Sequence, residues 1–327
     1  DGENIILVDA ASQVEESRED NNALSQRLPV PTLPPTCTPA SQDSAMTPTP
    51  ATPEPTVTLR TATPPPVQAP AAVTMREGQV TIPTYPYEDF ASEAWSEAFR
   101  MPYSVLDRAA YEASNPVPTD VVYRTFIVEN EYLTLTFLPD LGGRLYKVRY
   151  KPTGHLVTYR NPVLKPSPWG PTEQGWWLAA GGFEWGLPVE EHGYEWNVPW
   201  KLSATSDGQN VTVIVRDSSD GDRVQVEIAV RLEAGEGYFK IRPSLENPTG
   251  APMEVKYWTN AMLAPGGQNR PSADLRFVLP ATVADVVVHS RGDEFLPVGA
   301  QRMAWPIVDG TDFSRLGEWN RWLGCFG

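Results

Sequence analysis

The chain has 327 residues and a formal net charge of −15, which argues against a nucleic-acid partner because so acidic a surface cannot neutralise phosphates. Its two cysteines, Cys37 and Cys325, lie at opposite ends of the sequence and indicate neither a disulfide framework nor a metal cluster. No stretch approaches the ~20 apolar residues of a membrane-spanning helix, and no signal peptide is visible. Because the sequence starts with Asp1 rather than Met, a leader or membrane anchor is expected upstream.

Residues 1–27 are an acidic N-terminal segment that contains a short apolar run, Ile5–Val8. Residues 28–75 are rich in proline and threonine, and such sequence cannot bury enough surface to offset chain entropy. Proline also biases it towards extended polyproline II, so a disordered, semi-rigid stalk is predicted. Stalks of this composition are common on exported proteins, which predicts an extracellular or cell-surface location. An internal linker between two cytoplasmic domains is the alternative.

Residues 76–118 are predicted to be an extension that packs on the domain that follows. Within it, Gln79–Ile82 has the pattern of a strand. Glu88–Arg100 is predicted to form a short helix that ends before Pro102, and Leu106–Ala113 is predicted to form a second one.

Residues 119–327 change to a β pattern, in which β-branched and aromatic residues alternate with polar ones over runs such as VVYRTFIVEN, VQVEIAVRLEA and GYFKIRPSLEN. Turn signals such as Pro139–Gly143 and Pro248–Gly250 separate the runs. Short strands without intervening helices predict an all-β fold, an antiparallel sandwich or barrel. Because the last residues, Asp312–Gly327, are aromatic and apolar, we expect the domain to continue beyond residue 327.

Candidate binding and catalytic residues are concentrated in the aromatic segment (residues 169–200). Six of the 11 tryptophans lie there, together with several carboxylates and one of the three histidines, His192. Glycines and prolines interrupt any helix, so loops and short strands are predicted there. A sugar suits such a segment, because its CH face packs on an aromatic ring while its hydroxyls bond to fixed polar groups. If Phe183 and Trp185 are core residues on a strand, Glu184 between them faces the opposite side, towards a cleft or solvent.

Six motifs are spread along the β region. They are Glu129–Leu133, Leu138–Leu145, Tyr159–Pro162, Gly181–Pro188, His192 and Tyr257–Asn260. Together they resemble the galactose mutarotase-like (aldose 1-epimerase-like) superfamily, and within it a bacterial domain family of unassigned function. The resemblance covers about residues 83–327. It implies a large antiparallel β-supersandwich that binds a mono- or oligosaccharide in a cleft on one sheet.

Epimerases of this superfamily use a histidine as acid on the ring oxygen and a glutamate as base on the anomeric hydroxyl, and the resemblance offers His192 as the acid. The base of the family lies late in the domain, where no residue here matches it. Glu184, after a glycine pair, is the candidate in this segment for a base or a hydroxyl acceptor. The sequence departs from the epimerases at Ala261, where they carry a histidine, so binding is favoured over mutarotation. The further candidate sugar contacts are Arg144, Trp177, Trp185, Glu191, Trp196, Trp258 and Asn260.

Three functions stay open at this point. The first is an exported carbohydrate-binding or carbohydrate-processing domain, and the second is an active aldose epimerase or lyase-type enzyme that uses His192 and a glutamate. The third is a non-catalytic β-sandwich scaffold of a surface assembly, in which His192 is a loop histidine in an ion pair and the tryptophans are core residues. No metal and no cofactor are predicted, since the sequence contains neither an HExxH helix nor a calcium-loop pattern.

Overall fold

A computed structural model describes residues 4–7, 23–26, 71–168, 170–171, 173–189, 192–217, 221–279, 285–291, 302–319 and 323–326. Most of the stalk predicted over residues 28–75 lies outside these ranges. The chain divides into two compact units, Asp1–Ala69 and Pro70–Gly327. In the first unit, strand β1 (Asn4–Leu7) pairs antiparallel with β2 (Ala23–Gln26).

The secondary-structure elements in the described part of the second unit are almost all strands, which confirms the predicted all-β class. They are β3 (Thr74–Thr84), β4 (Ala91–Ser96), β5 (Met101–Leu106), β6 (Thr119–Glu129), β7 (Leu133–Leu138), β8 (Arg144–Tyr150), β9 (His155–Thr158), β10 (Arg160–Ser167), β11 (Trp177–Gly186), β12 (Lys201–Ser206), β13 (Asn210–Arg216), β14 (Gln225–Glu233), β15 (Phe239–Glu246), β16 (Trp258–Gly266), β17 (Asp285–Arg291), β18 (Arg302–Ala304), β19 (Ile307–Val308), β20 (Thr311–Asp312) and β21 (Leu323–Phe326). One α-helix, α1 (Arg108–Ala113), and the 3-10 turns Glu88–Phe90 and Leu316–Glu318 complete the described elements. No described helix has the length and apolar character that crossing a membrane requires.

Eight strands close into a ring in the order β10-β11-β16-β9-β8-β7-β6-β3. Neighbouring strands of the ring are antiparallel except at its closure, where β10 runs parallel to β3 at Leu164 and Thr84. Strand β11 is central, because it also touches β8, with Phe183 opposite Leu145. The other described strands form a four-stranded sheet (β12-β13-β14-β15), a three-stranded sheet (β18-β17-β21) and the hairpins β4-β5 and β19-β20.

A hydrophobic core lies between the ring and the four-stranded sheet, because strands of both carry apolar side chains at every second position. On β13, Val211, Val213 and Val215 are buried while the residues between them are partly exposed. These valines belong to one cluster with Phe137 and Leu145 of the ring. The alternation seen in the sequence therefore produces a two-layer core.

The extension predicted over residues 76–118 differs in part from its prediction, because the strand predicted over Gln79–Ile82 is part of β3 and belongs to the ring. Residues 88–100 form a 3-10 turn followed by the β4–β5 hairpin, so the helix predicted there is wrong. Within this hairpin Trp95 is exposed and pairs with Pro102 of β5. The next predicted helix is confirmed as α1, where Oδ1 of Asp107 accepts a hydrogen bond from the backbone N of Ala110 at 2.9 Å and caps the helix.

The aromatic segment also differs from its prediction, since it contains the ten-residue strand β11 rather than only loops and short strands. Gly181 and Gly182 make this possible with positive φ angles of 95° and 79°. A Cβ on Gly182 would lie 2.5 Å from the carbonyl oxygen of Leu145. The glycine pair thus lets β11 pass close to its neighbours instead of ending the strand.

Candidate functional site

Glu184 lies near the end of β11 and is only 2% exposed. Its neighbours Phe183 and Trp185 pack towards the core between the ring and the four-stranded sheet, so alternation turns Glu184 to the opposite face. Asn260 of β16 stands directly opposite Glu184 in the register, so both side chains leave the same face. Strand pairing therefore brings together a carboxylate and an amide that are 76 residues apart in the sequence.

Four donors surround the Glu184 carboxylate, which offers about four lone-pair positions. Oε1 accepts from Arg144 Nη1 at 3.0 Å and from the indole Nε1 of Trp177 at 2.9 Å. Oε2 accepts from Asn260 Nδ2 at 3.2 Å and lies 2.9 Å from His192 Nδ1. Burial, the largest influence, raises the pKa of Glu184, but Arg144, His192 and Trp177 together outweigh it and hold the pKa below its usual range. We call these five residues the Glu184 network.

The lowered pKa keeps the carboxylate of Glu184 ionised, and its lone pairs are occupied by the four donors. A general base must offer a free lone pair to the proton that it takes, and a buried, fully paired carboxylate does not. Glu184 therefore positions its neighbours in this structure, and its role as a catalytic residue stays a prediction.

His192 is held in one orientation. Because the ionised carboxylate of Glu184 can only accept, Nδ1 of His192 carries the proton in this contact. The imidazole stacks on the indole of Trp177, with ring centroids 3.9 Å apart and planes 12° from parallel. The side chain is 17% exposed, and its Nε2 makes no hydrogen bond to any residue that the structure describes. One ring nitrogen is thus available to an incoming hydroxyl group.

Arg144 is buried beneath the network and is 1% exposed. Besides Glu184, its guanidinium donates to the carbonyl oxygens of Leu141, Gly181 and Trp196. These acceptors tie β8 and β11 to the loop that follows β11. In the structure Arg144 positions the surrounding backbone, and its predicted contact with the sugar stays a prediction.

Four other residues that were predicted to contact the sugar are not part of the Glu184 network. Trp185 is buried and donates to a backbone carbonyl on the far face of β11, and Trp196 is buried against Trp176 with ring centroids 4.6 Å apart. Both belong to hydrophobic core clusters, and their assignment as sugar contacts stays a prediction. Trp258 is 45% exposed at the start of β16 and has no hydrogen bond or ring contact with the network in the described part of the chain. Glu191 lies outside the described residues.

A second buried ion network, which the sequence did not predict, holds the same loop. Arg223 donates to Asp217 Oδ2 and to Glu195 Oε1, both at 3.0 Å, and all three side chains are buried. Burial raises the pKa of Asp217, and Arg223 opposes this effect. With Arg144 on one side and Arg223 on the other, two arginines fix the loop after β11. No sequence signal separates Asp217 and Arg223 from the charged residues of an ordinary hairpin turn.

A pocket of about 420 Å³ opens beside Trp177, between β10, β11 and β16. Its described lining comprises Tyr159, Asn161, Lys165, Pro166, Ser167, Pro168, Trp177, Ala179, Ala180, Gly181 and Met262. Trp177 is the residue that the pocket shares with the Glu184 network, since Glu184 and His192 are not part of this lining. Among the residues of known position, no three His, Cys, Asp or Glu side chains group closely enough to hold a metal ion.

These features define an all-β domain with a buried Glu–His network next to a pocket. The sequence pattern of one protein family matches residues 100–315, and the chain belongs to that family, the domain of unknown function DUF5107. The prediction of a family of unassigned function is thereby confirmed.

The fold is also similar to that of a TPR-domain-containing protein from Parabacteroides distasonis, with a TM-score of 0.57 and 20% sequence identity. The similarity covers 74% of this chain and 38% of the other, so this chain spans well under half of that protein. At this identity the likeness concerns the fold alone.

Proposed function

We propose that this domain binds a carbohydrate in a galactose mutarotase-like cleft beside Trp177 and His192. One observation carries the proposal. Five residues that the sequence singled out for a sugar site meet in one hydrogen-bonded network: Arg144, Trp177, Glu184, His192 and Asn260. They come from separate stretches of the chain, and their convergence supports the family resemblance from which several of them were chosen.

The accessible groups of the network are of the kinds that sugar recognition uses. Trp177 lines the pocket of about 420 Å³, within the range of about 300–1,000 Å³ that small-ligand sites occupy. An indole packs against the CH groups of a pyranose, while Nε2 of His192 exchanges a hydrogen bond with a hydroxyl. Because Glu184 and Trp177 already fix the imidazole, a ligand does not have to order it on binding.

Binding is favoured over mutarotation for a physical reason. Opening a pyranose ring needs an acid and a base on either side of the ring. In the described ranges, the carboxylate that contacts His192 is Glu184, whose lone pairs are occupied. Ala261, beside Asn260, supplies no second histidine. An epimerase or lyase-type reaction is the second candidate, because Glu184 holds Nδ1 of His192 as a carboxylate holds an acid–base histidine.

An exported or cell-surface location belongs to the same proposal. It rests on the proline- and threonine-rich composition of residues 28–75 alone. A carbohydrate outside the cell is the partner that this location and the pocket suggest together.

A glycan array followed by calorimetric titration of the full chain tests the binding proposal. His192→Ala should weaken sugar binding about fivefold or more, the equivalent of one lost hydrogen bond. Trp177→Ala should weaken it further, because both the packing surface and the contact with His192 are lost. The matched control is His155→Ala, which removes an exposed histidine of β9 and should leave the affinity unchanged. Undiminished affinity in His192→Ala would contradict the proposal.

Polarimetry on the same proteins separates binding from catalysis. We expect the wild-type chain to bind a sugar without accelerating its mutarotation. An acceleration that His192→Ala abolishes would replace this proposal with the epimerase candidate. A chain that neither binds nor accelerates would support the scaffold function instead.

A further inference from the structure

Trp258 is 45% exposed, although it lies on a strand of the ring. Opposite it in the register stands Gly186 of β11, which has no side chain to cover the indole. Among the residues of known position, Trp258 has no hydrogen-bond or ring partner. A single exposed ring needs no explanation in itself, so its meaning depends on where it lies relative to the candidate site.

The chain neighbours of Trp258 lie on the opposite side of β16. The hydroxyl oxygens of Tyr257 and Thr259 are 2.9 Å apart, and Tyr257 packs against the main core between the ring and the four-stranded sheet. Because side chains alternate along a strand, Trp258 leaves the other face together with Asn260. This is the face that carries the Glu184 network, to which Asn260 belongs.

A row of three side chains runs along this face of β16. Met262 lines the pocket at one end, Asn260 holds the middle position, and Trp258 stands at the other end. With a rise of about 3.4 Å per residue, the row from Met262 to Trp258 spans about 13 Å, which is more than one pyranose ring covers. This face is therefore longer than a site for one sugar unit requires.

Aromatic rings lie at both ends of the row, and polar atoms lie between them. Trp177 and Tyr159 supply rings in the pocket, and Trp258 supplies one at the far end. Between them, Nε2 of His192 and Oδ1 of Asn260 make no hydrogen bond to any residue that the structure describes. A sugar chain matches this pattern, because its units have CH groups that pack on rings and hydroxyls that bond to polar atoms.

We infer that the ligand of this site is a linear oligosaccharide, of which one unit occupies the pocket beside Trp177 and another packs on Trp258. The inference rests on the proposed function, because it names the class of sugar for the same site. A monosaccharide beside Trp177 leaves the indole of Trp258 exposed to water. A longer sugar chain covers both indoles, and the additional apolar area that it buries stabilises the complex.

Calorimetric titration of the full chain with sugars of increasing length tests the inference. The probes are two linear series, galactose to galactotetraose and glucose to cellotetraose. We expect the trisaccharide of the preferred series to bind about tenfold more tightly than its monosaccharide, which is the scale of one ring contact together with the area that it buries. A further unit should add little, because the row ends at Trp258.

Variants of Trp258 locate the distal unit. In Trp258→Ala the trisaccharide should bind no more tightly than the monosaccharide. Trp258→Gln also lacks a ring, should behave in the same way and carries the test if the alanine variant does not fold. Trp258→Phe keeps a ring and should restore part of the gain. The matched control is Trp95→Ala, which removes a tryptophan of the β4–β5 hairpin that is 53% exposed and should leave the gain intact.

The outcomes separate this inference from the proposed function. Equal affinity for monosaccharide and trisaccharide, still weakened by His192→Ala, overturns the inference and leaves the proposed function standing. A gain with length that survives in Trp258→Ala also overturns it, because the sugar chain then follows another path. A folded protein that binds no sugar of either series overturns it as well, and the glycan array then decides on the proposed function separately.

Discussion

Replacing Glu184 with glutamine keeps the shape of the side chain and removes its charge, which leaves Arg144 as a buried cation without a counter-charge. The two side chains are 2% and 1% exposed, and Arg144 Nη1 lies 3.0 Å from Glu184 Oε1. Removing one partner of such a pair lowers the free energy of unfolding by about 3–5 kcal/mol. The new amide adds to the loss, because if its oxygen faces Arg144, its NH₂ group faces two further donors, Asn260 Nδ2 and His192 Nδ1.

Urea unfolding followed by tryptophan fluorescence measures this loss. The matched control is Glu233→Gln, because the Glu233 carboxylate pairs with Lys240 at 2.9 Å where the two side chains are 27% and 57% exposed. The control should lose less than about 1 kcal/mol, as surface ion pairs do. A Glu184→Gln protein that loses no more than the control would refute the reasoning, since the pair would then not be a buried one.

The lowered pKa of Glu184 predicts how the stability difference between wild type and Glu184→Gln depends on pH. The folded pKa of Glu184 is held below the ordinary value of 4.5, because Arg144 and the hydrogen bond from His192 outweigh the opposing effect of burial. A carboxyl group with a lowered folded pKa contributes stability that is present above its unfolded pKa and is lost as the pH falls through the folded one. The stability difference between wild type and Glu184→Gln should therefore be constant above pH 4.5 and narrow below it. A difference that widens on acidification would contradict this sign.

Three further predictions use the same unfolding measurement. Gly182→Ala should lower the free energy of unfolding by more than Gly208→Ala, which measures only the roughly 1–2 kcal/mol of left-handed backbone strain. Only the first substitution places a Cβ 2.5 Å from a backbone carbonyl oxygen, so equal losses would contradict the close contact. Asn130→Ala should lower the free energy of unfolding by about 2–4 kcal/mol, because its side chain makes four hydrogen bonds that join two turns; a loss below that range would contradict this role. Trp185→Phe should destabilise the domain and leave sugar affinity unchanged; a reduced sugar affinity would show that Trp185 belongs to the site. Trp258→Ala should change the free energy of unfolding by less than about 0.5 kcal/mol.

The strands that the sequence predicted are those whose conformation depends on a buried face. On β14, Val226, Ile228 and Val230 are buried and the residues between them are partly exposed, so the pattern is visible without a structure. Strand β11 was missed because its glycine pair locally indicates turns, and pairing with β10 and β16 makes it a strand. The helix predicted over residues 88–100 failed for a related reason, since pairing with β5 outweighs the local spacing of apolar residues.

The site was predictable to the extent that it lies on one segment. Glu184 and His192 stand eight residues apart, whereas Arg144 and Asn260 are 40 and 76 residues from Glu184 and were found only through the family motifs. Period-two alternation also excludes Trp185 from the site, because adjacent residues on a strand face opposite sides. The positioning role of Glu184 follows from its burial and its four donors, and neither can be read from the sequence.

Strand β3 has a practical consequence for how this domain is expressed. It lies before residues 100–315, the part that the family pattern covers. Yet β3 pairs with β6 along all 11 of its residues, touches β10 to close the ring, and follows Val73, whose side chain is in the main core. A fragment that starts at residue 100 would expose the hydrogen-bonding edges of two strands, and open edges of this kind recruit other chains and aggregate. A fragment intended for crystallisation or binding assays should therefore begin before Val73, well upstream of the boundary that sequence similarity suggests.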